Sequence, residues 1–361
     1  MNNTIHPYKK LPDYAFWSRS ISRVASQDVD PVASGPKFIR KEHLIATGGS
    51  CFAQHLARRL KNIGYTYYVA EDVHPVLNEA VGKENNYGVF SARYGNIYTA
   101  RQLLQLFRRA FKDLKPVDDH WNTKGVFVDP LRPTVQPGGY RTLAELTRDR
   151  NYHLSCVREM FRKLDFFIFT LGLTEAWVNA NDGIVYPICP GVVDGRFDPK
   201  QHLFHNFTYE EVAADMTEFL SELKAVNPKA RVILTVSPVP LVATKEDQHV
   251  LVSTTYSKSV LRVACDTMSR EFENVHYFPS YEIITGPHAG GRYYAEDLRE
   301  VAEVGVDHVM RVFNRHFLAD HADGDDGEVK PKSEDAAGKL RRLSQNFVEV
   351  ECDERLLDFR K

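Results

Sequence analysis

Ser50 is the side chain with the clearest chemical opportunity in this sequence. It lies in Thr47-Gly48-Gly49-Ser50-Cys51-Phe52-Ala53, directly after the apolar run His43-Leu44-Ile45-Ala46 and directly before an amphipathic pattern. A strand that ends in small residues, presents one serine and turns into a helix is how parallel α/β enzymes hold a nucleophile or an anion. The first N–H groups of a helix lack intrahelical partners and point at whatever sits there. Two readings of Ser50 stand side by side. It is a nucleophile whose oxyanion is held by the N–H groups of Ser50 and Cys51. Or it is a helix cap, a role in which serine is worth roughly 1 kcal/mol over alanine. Cys51 is the rival nucleophile, since helix starts favour thiolates; packing as a small residue beneath the turn is its plainer role.

Three further segments carry polar groups. Leu171-Gly172-Leu173-Thr174-Glu175-Ala176-Trp177 ends the most apolar run of the chain. A Thr174 hydroxyl or a backbone N–H there would add an oxyanion donor, or Thr174 would cap a short helix. Ser237-Pro238-Val239-Pro240 follows the next apolar run and leads to Lys245-Glu246-Asp247-Gln248-His249. Arg292-Tyr293-Tyr294-Ala295-Glu296-Asp297-Leu298-Arg299-Glu300 precedes the last helical pattern. Arg93 and Arg292 flank these segments and suit a carboxylate or phosphate, or ordinary ion pairs.

The elements that position these groups read as a doubly wound α/β fold. Apolar runs at 44–48, 65–70, 164–171, 230–236 and 275–279 predict five strands. The run Asp165-Phe166-Phe167-Ile168-Phe169-Thr170-Leu171 predicts a strand buried on both faces, as in a parallel sheet. Helical periodicity lies between the runs. Phe52, Leu56, Leu60 and Ile63 share a face and Gly64 stops the helix. Thr208 caps a helix that ends near Pro228. Tyr256, Val260, Val263 and Met268 line another face; Val306, Val309, Met310, Phe313 and Phe317 line the last. Right-handed crossovers place the strand C-termini on one edge, where ligands bind.

Composition narrows the function classes. The chain has 361 residues, 43% of them apolar, and a formal charge of −2. That balance gives no basis for a nucleic-acid partner. Cys51, Cys156, Cys189, Cys265 and Cys352 are scattered and form no Cys-x-x-Cys pair, so neither a disulfide framework nor a zinc site is expected. Residues 1–10 lack an apolar signal-peptide core, and no run of about 18 apolar residues exists. The expectation is a cytoplasmic protein without a membrane span. Gly48-Gly49-Ser50 lacks the spacing of a P-loop or a Gly-x-Gly-x-x-Gly fingerprint.

Gly49-Ser50-Cys51-Phe52-Ala53 spells the motif for which the GSCFA family is named. The resemblance continues through Phe90-Ser91-Ala92-Arg93-Tyr94-Gly95-Asn96-Ile97-Tyr98-Thr99, 171–177, 235–240 and Tyr277-Phe278-Pro279-Ser280-Tyr281-Glu282, and spans roughly 37–317. That family in turn resembles the SGNH/GDSL-type hydrolases and acyltransferases. The resemblance implies a three-layer α/β/α fold with a central, mostly parallel five-stranded sheet and a flavodoxin-like layout. The stretch at about 73–152, after the second strand, has Pro and Gly throughout and reads as a long insertion that covers the strand edge. The expected organisation is an N-terminal extension at 1–36, the main domain at 37–320, a disordered linker at 321–345 and a short C-terminal segment at 346–361.

Carried onto this chain, the resemblance makes Ser50 the nucleophile. Gly95, with Asn96, matches the second-block oxyanion glycine. Gly172 and Thr174 stand in the third block, with threonine where asparagine is usual. Asp297 matches the last-block aspartate, and Glu300 occupies the histidine position. A glutamate serves as base when burial raises its pKa; otherwise a histidine must reach in, with His249 first and His205 and His288 next. Arg93 would contact substrate. The implied activity is hydrolysis or O-acyl transfer on an acyl ester, of a carbohydrate or related metabolite, with no metal or organic cofactor. The Glu300 substitution also motivates a different class, a degenerate domain that binds a sugar or acyl ligand without turnover.

Overall fold

The computed structural model describes residues 6–74, 79–123, 125–320 and 353–358. In chain order the elements are β1 (Ile45–Gly49), α1 (Phe52–Asn62), α2 (Glu79–Glu84), α3 (Ala100–Phe111), β2 (Trp121–Thr123), β3 (Val126–Val128) and α4 (Leu143–Lys163). There follow β4 (Phe166–Leu171), β5 (Glu175–Asn179), β6 (Val185–Tyr186), β7 (His202–Asn206), α5 (Tyr209–Val226), β8 (Arg231–Val236), α6 (Val250–Glu271), β9 (Val275–Tyr277), α7 (Ser280–Thr285) and α8 (Glu303–Phe317). Short 3₁₀ and π turns precede β1, and a 3₁₀ turn at Asp353–Leu357 closes the described chain.

The central sheet is parallel and runs β1-β4-β8-β9. Among the described residues it has four strands rather than the five expected. The segment at 65–70 makes one isolated parallel bridge, Tyr67 to Ile45. Ile45 N–H donates to Thr66 O at 3.1 Å and Tyr68 N–H to Ile45 O at 2.7 Å. Two residues later the chain has left the edge, and Ala70 N–H pairs with Ser91 O instead. Diversion to this second partner ends the strand.

β4 is buried along its whole length, and strand alternation divides its side chains between two layers. Phe167, Phe169 and Leu171 share a core with Leu103 of α3, Phe161 of α4, Phe219 of α5 and Leu261 of α6. Phe166 and Ile168 pack with Phe52 of α1, Ile283 of α7 and Phe313 of α8. The result is three layers, α/β/α.

The stretch at 73–152 is more than a cover over the sheet edge. It contains α3, which packs on α4 and α5, and the start of α4. Thr99 and Thr142 close capping boxes with Gln102 and Glu145, as Thr208 does with Glu211 at α5. After Thr174 the chain forms strand rather than helix. β5 joins β6 and β7 in a small antiparallel sheet, in the order β6-β5-β7.

Residues of the N-terminal extension pack on α8. Asp30 accepts from His316 Nε2 at 2.7 Å and from Arg315 Nη1 at 3.2 Å. The linker expected at 321–345 lies outside the described residues, as does most of 346–361.

Val29 is 1% exposed, and its carbonyl lies 2.8 Å from His308 Nε2. A carbonyl only accepts, so Nε2 carries the proton; the Tyr293 hydroxyl meets Nδ1 at 2.7 Å. Burial pulls the His308 pKa down to about 4, helped by Arg311 and opposed by the Val29 bond. The unfolded chain therefore takes up the proton first, near pH 6.5. This contribution to stability is complete above pH 6.5 and is lost as the pH falls toward 4; its ceiling is on the order of 3 kcal/mol. Denaturant unfolding of the native chain at pH 7 and pH 4 should show that loss. His308→Gln, which cannot ionise, should lose less over the same interval.

Candidate active site

Ser50 stands at the C-terminal end of β1, and backbone geometry puts it there. Gly49 has φ +129°, and a Cβ on it would lie 2.3 Å from Thr170 O of β4. Only glycine fits that conformation and that approach. Ser50 N–H donates to Thr170 O at 3.2 Å, so this N–H is engaged in the sheet rather than offered to an oxyanion. Ala53 N–H to Ser50 O at 2.9 Å and Gln54 N–H to Cys51 O at 3.0 Å then start the helical turn.

Ser50 is not the helix cap. The N-cap position of α1 is Cys51, and no side-chain cap bond forms there. Ser50 is 3% exposed, and its Oγ is buried without a hydrogen-bond partner among the described residues. Leaving a buried hydroxyl unsatisfied costs roughly 1–3 kcal/mol. Such a group calls for a water, a ligand or a chemical role.

A small cavity opens beside it. Ser50 and Cys51 form one wall, Tyr98 with Gly172 and Leu173 a second, and the loop Ser237, Val239, Pro240 and Leu241 a third. These are the turns after β1, β4 and β8, on the sheet edge where the topology places ligands. Lys258 of α6 completes the lining. About 10 Å³ is open to the centre of a water molecule, enough for one water.

Lys258 is 2% exposed, and its Nζ donates to Gly172 O at 2.5 Å. The sequence reading missed it. A lysine in Tyr256-Ser257-Lys258-Ser259 reads as solvent-facing. The available signal was its register: Lys258, Leu261, Cys265 and Met268 follow helical spacing, and all four are buried.

The other expected residues are spread around this cavity. Gly95 is left-handed, at φ +71°. Its loop lies against the Ser50 turn, since Ile97 N–H donates to Gly49 O at 2.9 Å. Asn96 is buried and lines a different cavity. Gly172 N–H donates to Tyr98 O at 2.9 Å. The Thr174 hydroxyl donates to Asn206 Oδ1 at 2.6 Å, and Thr174 N–H to Ser257 Oγ at 3.0 Å, so both donors are engaged in the framework.

No expected base hydrogen-bonds to Ser50. His249 is exposed and caps α6 by accepting from Leu251 N–H at Nδ1, 3.1 Å away. Asp297 Oδ1 accepts from the N–H groups of Arg299 and Glu300 at 3.0 Å each, which closes a turn. The Glu300 carboxylate is partly exposed and pairs with Arg355. His205 pairs with Glu211 at 2.8 Å, and the His288 ring meets Tyr293 and His308 edge-on. The Asp297 turn does back the cavity wall. Tyr294 donates its hydroxyl to Pro238 O at 2.7 Å, and Arg299 Nε donates to Pro240 O at 3.2 Å. Arg292 Nε and Nη2 hold local carbonyls, Ala289 O and His288 O.

Arg93 is a framework residue rather than a substrate ligand. Its Nε donates to Asn85 O, Nη1 to Tyr87 and Asp149, and Nη2 to Val135 O and Gln136, all within 2.8–3.3 Å. Five donors are filled, and the guanidinium lies over the Tyr87 ring at 4.1 Å.

Among the described residues, no group of three or more His, Cys, Asp or Glu could hold a metal ion, and no helix is long and apolar enough to cross a membrane.

The Gly49 constraint is testable by substitution. Gly49→Ala should cost more than about 2 kcal/mol of stability in urea unfolding, because the new Cβ meets backbone at a strained φ. Gly48→Ala, whose Cβ would meet side chains rather than backbone, the Phe167 ring at 3.1 Å and the Tyr94 hydroxyl at 3.6 Å, should cost less.

No curated protein matches the chain. The chain is similar to a solved structure from Streptococcus pneumonia whose description names platelet activating factor. Identity is 12%, the match covers 49% of this chain and 69% of that one, and the TM-score of 0.26 is too low to carry an argument. The GSCFA family model matches residues 44–313, about three quarters of the sequence and the whole sheet edge around Ser50. The chain belongs to the GSCFA family.

Proposed function

We propose that this protein is a serine-dependent hydrolase or O-acyltransferase of the SGNH type, acting on an acyl ester of a carbohydrate or related metabolite. The observation that carries the reading is the buried, unpartnered Ser50 hydroxyl in a cavity it shares with Lys258.

Ser50 Oγ attacks the carbonyl carbon of the ester, and Lys258 is the group placed to take its proton. Lys258 lines the same cavity, and one of its Nζ–H groups is held by Gly172 O. Serine–lysine pairs are an established variant of the serine–histidine arrangement. The oxyanion forms at the start of α1, next to the Gly95 loop. Gly95 N–H carries no hydrogen bond among the described residues and is the available donor from that loop. Lys258 then protonates the departing alcohol, and water or an acceptor hydroxyl takes the acyl group from Ser50. The Asp297 turn backs the wall formed by the loop at 237–241 through Tyr294 and Arg299.

A fluorophosphonate probe tests the reading. Labelling should fall on Ser50 and disappear in Ser50→Ala, with turnover falling about 10⁴-fold or more at a melting temperature no lower than that of the native protein. Activity that survives Ser50→Ala overturns the assignment. Lys258→Met should slow labelling by roughly 10²–10⁴-fold, while His249→Gln and Glu300→Gln stay within a few-fold of the native protein.

The binding-only reading has one observation behind it: no histidine or carboxylate hydrogen-bonds to Ser50. A folded protein inert to the probe at every pH, yet stabilised by an acyl sugar, would favour it.

A further inference from the structure

Arg109, in the last turn of α3, is 6% exposed, and its Nη2 is buried without a partner among the described residues. No hydrogen bond or ion pair joins its guanidinium to a described side chain. An unpaired buried charge is among the least favourable arrangements in a protein interior. Burial draws the pKa of Arg109 down to about 10, against the pull of Asp129. The group remains a cation at neutral pH.

The carboxylates near it are already engaged. Asp129 accepts from Arg132 and Arg150 at 3.2 Å each and from Leu131 N–H at 3.1 Å. Asp149 accepts from Arg93 and Arg132 at 2.9 Å and from the Tyr140 hydroxyl at 2.7 Å. Glu71 takes His153 at 2.6 Å and Arg93 N–H at 2.8 Å. Burial holds His153 toward its neutral form. Four guanidiniums, of Arg93, Arg109, Arg132 and Arg150, thus face three carboxylates, Glu71 and Asp129 buried and Asp149 partly buried. Asp119 lies outside this set, half exposed and 3.9 Å from Arg150. One positive charge is left over, and it sits on Arg109.

Arg109 borders a cavity. Arg132, Gln102, Asn96, Leu106 and Val185 also line it, and none of its lining residues is a carboxylate. Gln102 uses its side-chain oxygen for Tyr98 N–H at 2.9 Å and Thr99 N–H at 3.0 Å. Its NH₂ is left as a donor. About 30 Å³ is open to the centres of water-sized spheres. That is room for about two waters or one small ion.

We propose that this cavity is a binding site for a small monovalent anion, a halide or a formate-sized carboxylate, held by Arg109 with Gln102 and Arg132. Its size matches one ion and its surplus charge matches one negative charge. The site also bears on the loop beside Ser50. Asn96 and Ile97 line the anion cavity, Tyr98 lines the Ser50 cavity, and Ile97 N–H holds Gly49 O. The anion thus fixes the loop at 95–98 from behind. The proposal does not depend on acyl chemistry at Ser50.

Thermal unfolding of the full chain in halide-free buffer provides the test, with sodium chloride, bromide, formate or gluconate added at equal ionic strength. Gluconate has the charge but not the size. Chloride, bromide or formate should raise Tm by a few degrees in a saturable way, and gluconate should not. The halide and formate arms identify the preferred ion. Arg109→Gln should remove the specific increment. Equal shifts with all four salts would overturn the proposal. Bromide-soaked crystals of the native protein give a readout that needs no variant. An anomalous peak within hydrogen-bond distance of Arg109 is expected, and a cavity holding only water refutes the site.

Discussion

The close approach of β1 to β4 at Gly49 is the constraint on which the site depends. A left-handed residue without a side chain lets β1 run to its last N–H against Thr170 and then turn at once into α1. The same turn sets the depth of Ser50. The hydroxyl therefore sits at the sheet edge between the turns after β4 and β8, instead of out in solvent. Ile97 N–H fastens the Gly95 loop to the same Gly49, through its carbonyl. One glycine thus positions two walls of the cavity.

Much of this was legible in the sequence, and the physical reason is periodicity. β4 is apolar at nearly every position because both its faces are covered, and that pattern survives without any knowledge of partners. Capping threonines announced α5 in the same way. What failed depended on partners far along the chain. The segment at 65–70 has the composition of a strand, but Ser91 captures its backbone after a single bridge. Thr174 and Arg93 have the chemistry of ligands, but Asn206 and the stretch at 85–149 engage them first. Lys258 was missed because a charged residue hides its place on a buried stripe.

His249 and Ser50 exchanged the roles that position alone suggested. Both precede helices on the same sheet edge. The histidine proved to be the cap and the serine did not. A cap needs an extended backbone and a side chain that reaches back to the next N–H groups. His249 has φ −65° and ψ 136°, whereas the α1 start is helical from Cys51, with Ser50 N–H held by β4.

The buried charges around Arg93 carry a consequence for how such sequences diverge. Arg93, Arg132, Asp129, Asp149 and Glu71 are joined in one network of hydrogen bonds and ion pairs. Replacing one member strands its neighbours' charges in a medium that cannot solvate them. Lysine is no substitute for Arg93, because three donors at one point cannot serve five acceptors in a plane. The network therefore drifts as a block: it is kept whole, or several members change together. In relatives, these five positions should be inherited as a linked set even where the surrounding loops differ in length.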